Sequence, residues 1–249
     1  MTQLPSNRQS FAVRVNIWTL RMARNWLRIV LTLLSIYVIL PFAAPTLLKL
    51  GADGPANAIY TIYSPLCHQF AFRTHFLFGE QSFYPRENTG SDLPSFESYA
   101  EQLPEFDNVD LYGFDIDLIE SARAFRGNEE MGYKLTLCAR DIAIYIALLT
   151  GGLIYAIPVV RRRLRPVPLW LYVILGLGPI GLDGFSQLLG YPPFDLWPPR
   201  ETLPIYRVVT GALFGFMNAW LAFPYLESAM RDTRYQIEKK LYEAGLLKL

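Results

Sequence analysis

Four long apolar segments constrain the fold of this chain more than any other feature. The first, residues 29–48, reads "IVLTLLSIYVILPFAAPTLL" and carries no charge. A helix needs about 20 apolar residues to cross the hydrocarbon layer of a membrane. Three further apolar segments follow at residues 137–160, 167–190 and 207–228. The sequence therefore predicts an all-α membrane protein with four transmembrane helices, the first of them uncleaved.

The charged residues are strongly segregated along the chain, although the net charge is only +1. Residues 1–28 contain five arginines and no acid, whereas residues 79–135 contain thirteen Asp or Glu and four Lys or Arg. Such asymmetry in an apolar chain indicates that different segments lie on different sides of a membrane. The nearly neutral total gives no reason to expect a nucleic-acid partner; the predicted partner is the lipid bilayer.

The orientation follows from Lys and Arg near the ends of the spans. The N-terminal segment has five arginines, the loop at residues 161–165 has four, and the tail at residues 229–249 has five Lys or Arg. An even number of spans places all three segments on one side, which the positive-inside rule makes the cytoplasm. We therefore predict a multi-pass protein of the cell membrane with both termini cytoplasmic.

This topology divides the chain into nine segments with alternating locations. The large extracytoplasmic segment between the first two helices contains the Cys-His pair and an acidic insertion, at about residues 81–126. The predicted boundaries are a basic arm 1–28, helix 29–48, extracytoplasmic segment 49–136, helix 137–160, basic loop 161–166, helix 167–190, loop 191–206, helix 207–228 and tail 229–249.

Two parts of the segment between helices 1 and 2 differ in composition. Residues 58–78 are apolar and aromatic but too polar to span, which favours an interfacial or re-entrant helix. The acidic insertion is rich in turn residues, yet aromatic side chains recur in it, which argues against disorder. We expect a small ordered lid, and its aromatic, acidic surface is a candidate contact for membrane-protein partners.

Polar side chains recur within the predicted spans near their extracytoplasmic ends. Cys138, Asp141 and Tyr145 have a spacing that places them on one face of helix 2, and Asp183 and Gln187 share a face of helix 3. A carboxylate at the centre of a membrane costs about 2.5–3.5 kcal/mol on insertion scales, and it normally has a partner.

The candidate partners of Asp183 are Arg140 and Arg207, at the mouths of helices 2 and 4. Such a pair either locks the bundle or forms part of a functional pocket, and both readings stay open. Four glycines in these helices are more typical of close helix packing than of a chemical site: Gly176, Gly184, Gly211 and Gly215.

The stretch "SPLCHQFAFRTH", residues 64–75, contains three of the four Cys and His residues of the chain. Cys67 and Cys138 are predicted to lie on the same side of the membrane. They are candidates for a disulfide, for metal ligands with His68 and Asp141, or for a reactive thiol with His68 or His75 as base. Buried, unpaired cysteines are the remaining alternative.

Four motifs carry a resemblance to a known family. They are "YSPLCHQFAFRTHFLFG", "GNEEMGYKLTLCARDIAIYIALLTGG", "GLDGFSQLLGY" and "RETLPIYRVVTGALFG". Together they resemble the bacterial and archaeal membrane family called domain of unknown function 2085, over residues 55–80 and 127–220. The family pattern falls on these positions: Cys67, His68, Arg73, Cys138, Arg140, Asp141, Tyr145, Asp183, Gly184, Gln187, Arg207, Thr210 and Gly211.

Two positions depart from the family pattern. Thr74 stands where the family usually has Ser, and Asp141 stands where many members have a second Cys. The second departure implies a mixed Cys/His/Asp site in place of a cysteine-rich one. The resemblance supplies no reaction, because the family has no assigned activity.

The sequence thus predicts a membrane protein with a divalent-metal site, zinc-type, at the extracytoplasmic mouth of the bundle. The metal ligands would be Cys67, His68, Cys138 and Asp141. Six further residues would either surround these ligands or bind an anionic group: Arg73, Arg140, Tyr145, Asp183, Gln187 and Arg207. The alternative is a non-catalytic accessory subunit of a larger membrane complex, in which Cys67 and Cys138 form a structural disulfide. Thiol–disulfide exchange between these two cysteines and a partner or quinone is a third and weaker hypothesis.

Overall fold

The protein was analysed as a computed structural model that describes the backbone of residues 6–246 and the side chains of residues 11–246. The first residues of the predicted basic arm, 1–5, and the last of the tail, 247–249, lie outside this range. The described elements, in chain order, are α1 Ser6–Lys49, α2 Asp53–Tyr63, β1 Thr74–Leu77, α3 Phe96–Ala100, α4 Ile116–Ala124, β2 Gly127–Asn128, β3 Gly132–Cys138, α5 Ala139–Ala156, α6 Pro158–Arg163, α7 Leu169–Leu171, α8 Gly178–Leu188 and α9 Pro204–Glu243.

Within the described residues, four helices are long and apolar enough to cross a membrane, which confirms the prediction at this level. They are Phe11–Lys49, Ala139–Ala156, Leu169–Leu188 and Pro204–Glu243. The third is continuous because a π-helical turn at Tyr172–Leu177 joins α7 to α8. Pro179, the second residue after this stretch, has no N–H to donate, which suits a local departure from α-helical hydrogen bonding.

The first and last helices extend well beyond their apolar stretches and pack together there. The basic arm forms no separate element, since α1 runs without interruption for 44 residues, about 66 Å. Arg24 pairs with Glu238 at 2.8 Å, and Leu20 is buried with Ile237 and Leu241. The start of α1 and the end of α9 therefore lie at one end of the bundle.

The loop between the second and third spans lies at this same end. Glu227 of α9 accepts hydrogen bonds from Trp26 Nε1 at 3.0 Å and from Arg161 of α6 at 2.5 Å. We call this the arginine end, and the opposite one the cap end. The cap is residues 53–138, which connect α1 to α5.

The cap corrects the all-α prediction, because it contains a three-stranded antiparallel sheet in the order β1-β3-β2. Thr74 pairs with Cys138 and Phe76 with Lys134. Gly132 has φ +73°, and a Cβ there would meet the backbone of Gly79, so the hairpin requires glycine. The predicted helix at 58–78 is instead the end of α2, a turn and β1.

The start of the second span also differs from the prediction. Strand β3 ends at Cys138 and α5 begins at Ala139, so Cys138 is the N-cap residue of the helix. Its sulfur nevertheless lies within 4.8 Å of an Asp141 carboxylate oxygen, as the spacing of the two residues suggested. Asp141 lies in the first turn of α5.

The acidic insertion is a folded unit with an aromatic core. Phe96, Phe106 and Leu118 are among its buried residues, and a buried ion pair joins Arg86 to Glu97 at 2.8 Å. Most of the aromatic side chains that suggested a contact surface are therefore turned inward. Tyr112 is an exception, at 64% exposure.

Helix α5 lies against α9 along a line of glycines. A Cβ at Gly211 would come within 2.6 Å of the Arg140 carbonyl oxygen. A Cβ at Gly215 would overlap the Ile144 carbonyl oxygen. These contacts confirm close helix packing as the role of both glycines. Gly184 has more space, since its nearest contact is Arg140 at 3.8 Å.

Replacing Gly215 by Ala should destabilise the bundle, because the added methyl group must push α5 and α9 apart. We expect a loss of about 1–3 kcal/mol, seen as a lower Tm of the detergent-purified protein. The matched control is Gly181→Ala, where the new Cβ meets nothing within 4 Å. Equal Tm values for the two variants would contradict this packing role.

Candidate metal centre

Two cysteines and one aspartate converge at the cap end of the bundle. The Cys67 and Cys138 sulfurs and a carboxylate oxygen of Asp141 all lie within 4.8 Å of one another. Cys67 follows the turn after α2, Cys138 ends β3, and Asp141 belongs to the first turn of α5. Three separate elements thus bring together two soft sulfur ligands and one oxygen ligand.

The backbone around Cys67 points two donors at its sulfur. The N–H of Cys138 lies 3.2 Å from Cys67 Sγ, and the N–H of Gln69 lies 3.5 Å from it. Hydrogen bonds around a cysteine sulfur tune its properties as a metal ligand. Both cysteines are free in the structure, so their proximity is not the result of a disulfide.

The Gln69 donor depends on an uncommon backbone conformation. Gln69 has φ +58°, a region that costs a residue with a side chain about 1–2 kcal/mol. Its side chain is buried, donates to the Tyr60 carbonyl at 3.0 Å and accepts from Arg126 at 3.2 Å. These bonds, with one from Lys134 to the Gln69 carbonyl at 2.6 Å, hold the strained turn in place.

Lys134 is fully buried beneath this turn and was not identified from the sequence. Its Nζ donates to the carbonyl oxygens of Gln69, Ala122 at 3.0 Å and Arg123 at 2.9 Å. Burial, and then the nearby Arg126, lower the pKa of Lys134 well below its ordinary value. Three acceptors nevertheless match the three protons of an ammonium group, so we assign the charged form.

His68, predicted as a ligand, lies outside the Cys67–Cys138–Asp141 group. Its side chain is exposed, and its ring packs 5.3 Å from that of Phe70. His68 and Cys67 line a cavity of about 290 Å³, together with residues 64–66 and Arg123. Cys67 therefore lies beside an open cavity.

His75, the second candidate base for a reactive thiol, has other contacts. Its Nδ1 lies 3.3 Å from the Ser82 carbonyl oxygen and its ring 5.5 Å from Phe83. Burial lowers its pKa. The structure therefore shows His75 as part of the cap hairpin.

A second group of polar residues surrounds the buried carboxylate of Glu201. Arg73 Nε lies 3.1 Å from both carboxylate oxygens, Arg207 forms a second ion pair, and the Tyr191 hydroxyl donates at 2.6 Å. Burial alone would raise the pKa of Glu201, but the two guanidinium groups outweigh it and lower the pKa. This network joins the cap to the start of α9.

The neighbouring carboxylate is Asp183, which pairs with Arg140 as the sequence suggested. It also accepts from the Thr202 hydroxyl at 2.5 Å and lies 3.4 Å from Arg200. Arg207, the other predicted partner, pairs with Glu201 instead. Gln187 then connects the two carboxylates, since it bonds to Thr202 and accepts from Arg207 at 3.3 Å.

The six residues predicted to surround the metal ligands thus fall into two places. Tyr145 packs against Tyr37 of α1, with ring centroids 4.5 Å apart. The other five form the ion-pair network: Arg73, Arg140, Asp183, Gln187 and Arg207. Sequence reasoning missed Glu201, although it stands in the motif "RETLP" directly before the fourth span.

Comparison with known proteins supports the family resemblance over part of the chain. The model of a family described as "Predicted membrane protein (DUF2085)" matches residues 124–221. This segment includes Cys138, Asp141, Asp183 and Arg207, whereas Cys67 precedes it. The match confirms the resemblance for these residues.

One curated relative is an uncharacterised protein, MJ1492, from Methanocaldococcus jannaschii. It is 32% identical over 94 residues, which cover 37% of this chain and 54% of the relative. The chain therefore spans about half the length of this curated relative. No solved structure matches the chain.

The Glu201 network predicts a specific loss of stability in acid. The pKa of Glu201 is lower in the folded protein than its ordinary value of 4.5. The ionised carboxylate therefore contributes its full stabilisation above pH 4.5, and this stabilisation is lost as the pH falls through the folded-state pKa. We expect Glu201→Gln to lower Tm at pH 7, because breaking a buried ion pair costs about 3–5 kcal/mol. Between pH 4.5 and 3, the Tm of the Glu201→Gln variant should fall less than the Tm of the wild type.

The measurement is thermal unfolding of the detergent-purified protein between pH 7 and 3. Glu105→Gln serves as the control, because Glu105 is exposed and removal of its charge should change neither Tm nor its pH dependence appreciably. A Glu201→Gln variant that loses as much Tm in acid as the wild type would show that other groups dominate.

Proposed function

We propose that this chain is an integral membrane protein that binds a divalent metal, zinc-type, at the cap end of its helix bundle. The ligands are Cys67, Cys138 and Asp141. The observation that supports this is the approach of two sulfurs and a carboxylate to within 4.8 Å, with two N–H groups directed at one sulfur. No reaction is assigned.

The ligand types favour zinc over other divalent ions. Thiolates are soft ligands, and zinc binds sulfur, nitrogen and carboxylate oxygen in tetrahedral sites, whereas magnesium and calcium prefer oxygen. Three protein ligands leave one position of a tetrahedron free. The cavity beside Cys67 supports an opening on that side, with His68 at its rim.

The surrounding residues support the site mechanically. The Lys134 and Gln69 bonds hold the turn of Cys67, and the Arg140–Asp183 pair holds the first turn of α5, which contains Asp141. Replacing residues that hold metal ligands in place commonly lowers metal affinity about 10–100-fold. The network thus acts as a rigid frame beside the metal.

We also propose that both termini are cytoplasmic and the cap extracytoplasmic. The start of α1, α6 and the end of α9 lie at the same end, which contains the described arginines of the basic arm and those of the basic loop. The positive-inside rule then selects the cytoplasm. The metal would consequently bind on the extracytoplasmic side.

Elemental analysis of protein purified without chelator should find about one zinc ion per chain. Cys67→Ser and Cys138→Ser should each lose most of this metal, because a weak hydroxyl ligand replaces a thiolate. Asp141→Asn should lose part of it, since a neutral amide oxygen replaces a charged one. The control Asp117→Asn changes an exposed acid in the first turn of another helix and should retain the metal.

The metal content of the His68→Ala variant tests whether the metal has three or four protein ligands. Because His68 is exposed and outside the group, we expect the variant to retain metal, with water in the fourth position. Loss of metal from this variant would show instead that His68 is the fourth ligand. Wild-type protein that is folded and free of metal would contradict the proposal.

Reporter fusions test the orientation separately. A fluorescent protein fused after Leu249 should fold and fluoresce in cells, and alkaline phosphatase at the same position should be inactive, because it requires an oxidising exterior. Alkaline phosphatase inserted in the cap loop after Gly90 should be active. The opposite pattern would place the metal site in the cytoplasm.

A further inference from the structure

The arginine end contains a cavity that neither the metal site nor the ion-pair network uses. It has a volume of about 300 Å³ and lies between α1 and the junction of α5 with α6. Its polar lining comes from Arg24, Asn25, Arg28 and Arg161, and no carboxylate is among the lining residues. The cavity is therefore basic on one side.

The arginines differ in how their charge is balanced. Arg24 pairs with Glu238, and Arg161 with Glu227, both of which lie outside the lining. These carboxylates hold two guanidinium groups in place and leave several of their five N–H donors unused. Arg28 has no ion-pair partner among the described residues and supplies an uncompensated positive charge.

The other side of the cavity is apolar. Leu27, Leu31 and Ala156 line it, and they belong to or adjoin the apolar stretches of the first two spans. A cavity that is lined by both guanidinium groups and aliphatic side chains matches a molecule with an anionic head and a hydrocarbon tail. The cavity matches a free anion less well, because an anion without a hydrocarbon tail would make no favourable contact with the aliphatic side chains.

Aromatic side chains indicate that this end lies at a membrane surface. Trp220 is partly exposed and donates to the carbonyl oxygen of Arg165 at 3.0 Å, and Trp170 is 64% exposed. Tryptophan is enriched at the level of lipid headgroups. The cavity thus opens where a phospholipid headgroup would lie.

We infer that this cavity binds the phosphate group of an anionic phospholipid, with the acyl chains along Leu31 and Ala156. Arg28 provides the charge that selects an anionic lipid over a zwitterionic one. Basic recesses between membrane helices are an established kind of headgroup site. The inference depends on neither the metal nor the proposed orientation.

The test is native mass spectrometry of the delipidated full chain with added phosphatidylglycerol or phosphatidylcholine. We expect the wild type to bind phosphatidylglycerol more tightly, and Arg28→Gln to lose about five-fold of that affinity. Arg163→Gln is the control, because it removes the same charge from an exposed residue of α6 outside the cavity. Its affinity should equal that of the wild type.

Three results would overturn the inference. Equal losses in both variants would mean that the lipid responds to the general charge of this end. Equal binding of the two lipids by the wild type would remove the role of the phosphate charge. Displacement of phosphatidylglycerol by millimolar inorganic phosphate would assign the cavity to free anions, whereas failure of phosphate to compete supports a lipid site.

Discussion

The carboxylate of Glu201 lies between two guanidinium groups, and this interaction joins the cap to the helix bundle. Arg73 comes from the cap and Arg207 from the first turns of α9, so one buried acid binds two parts of the chain that are distant in sequence. Burying three charged groups costs several kcal/mol each unless geometry and hydrogen bonds compensate. Tyr191 provides one of these additional bonds.

The positions of the two thiols are set by contacts close to each of them. Cys138 comes two residues before Arg140, which is paired with Asp183. Cys67 belongs to the turn that the Gln69 and Lys134 hydrogen bonds hold in place. The N–H of Cys138 lies 3.2 Å from Cys67 Sγ, so the junction of β3 with α5 contacts this turn directly.

Hydropathy and charge were sufficient to predict the four candidate spans, because membrane helices must be long and apolar. The Asp183–Arg140 pair was also predictable, since an acid at that depth requires a nearby cation. Strand β3 was missed because the predicted second span begins at residue 137, so most of the strand falls at the end of the extracytoplasmic segment 49–136, where no strand was predicted. The alternation of Lys134 and Thr136 with Leu135 and Leu137 is typical of a strand. The burial of Lys134 depends on carbonyl groups from two other segments, which no local pattern reveals.

The two ends of the bundle carry arginines in different states, and this difference bears on the proposed orientation. Arg140 and Arg207 adjoin spans at the cap end, so a simple count of cations there weakens the positive-inside argument. Both are held by carboxylates in a largely buried network. At the arginine end, Arg28 and Arg163 have no carboxylate partner among the described residues. The two cap-end arginines that adjoin spans are therefore neutralised by carboxylates, so they do not contradict the proposed cytoplasmic location of the arginine end.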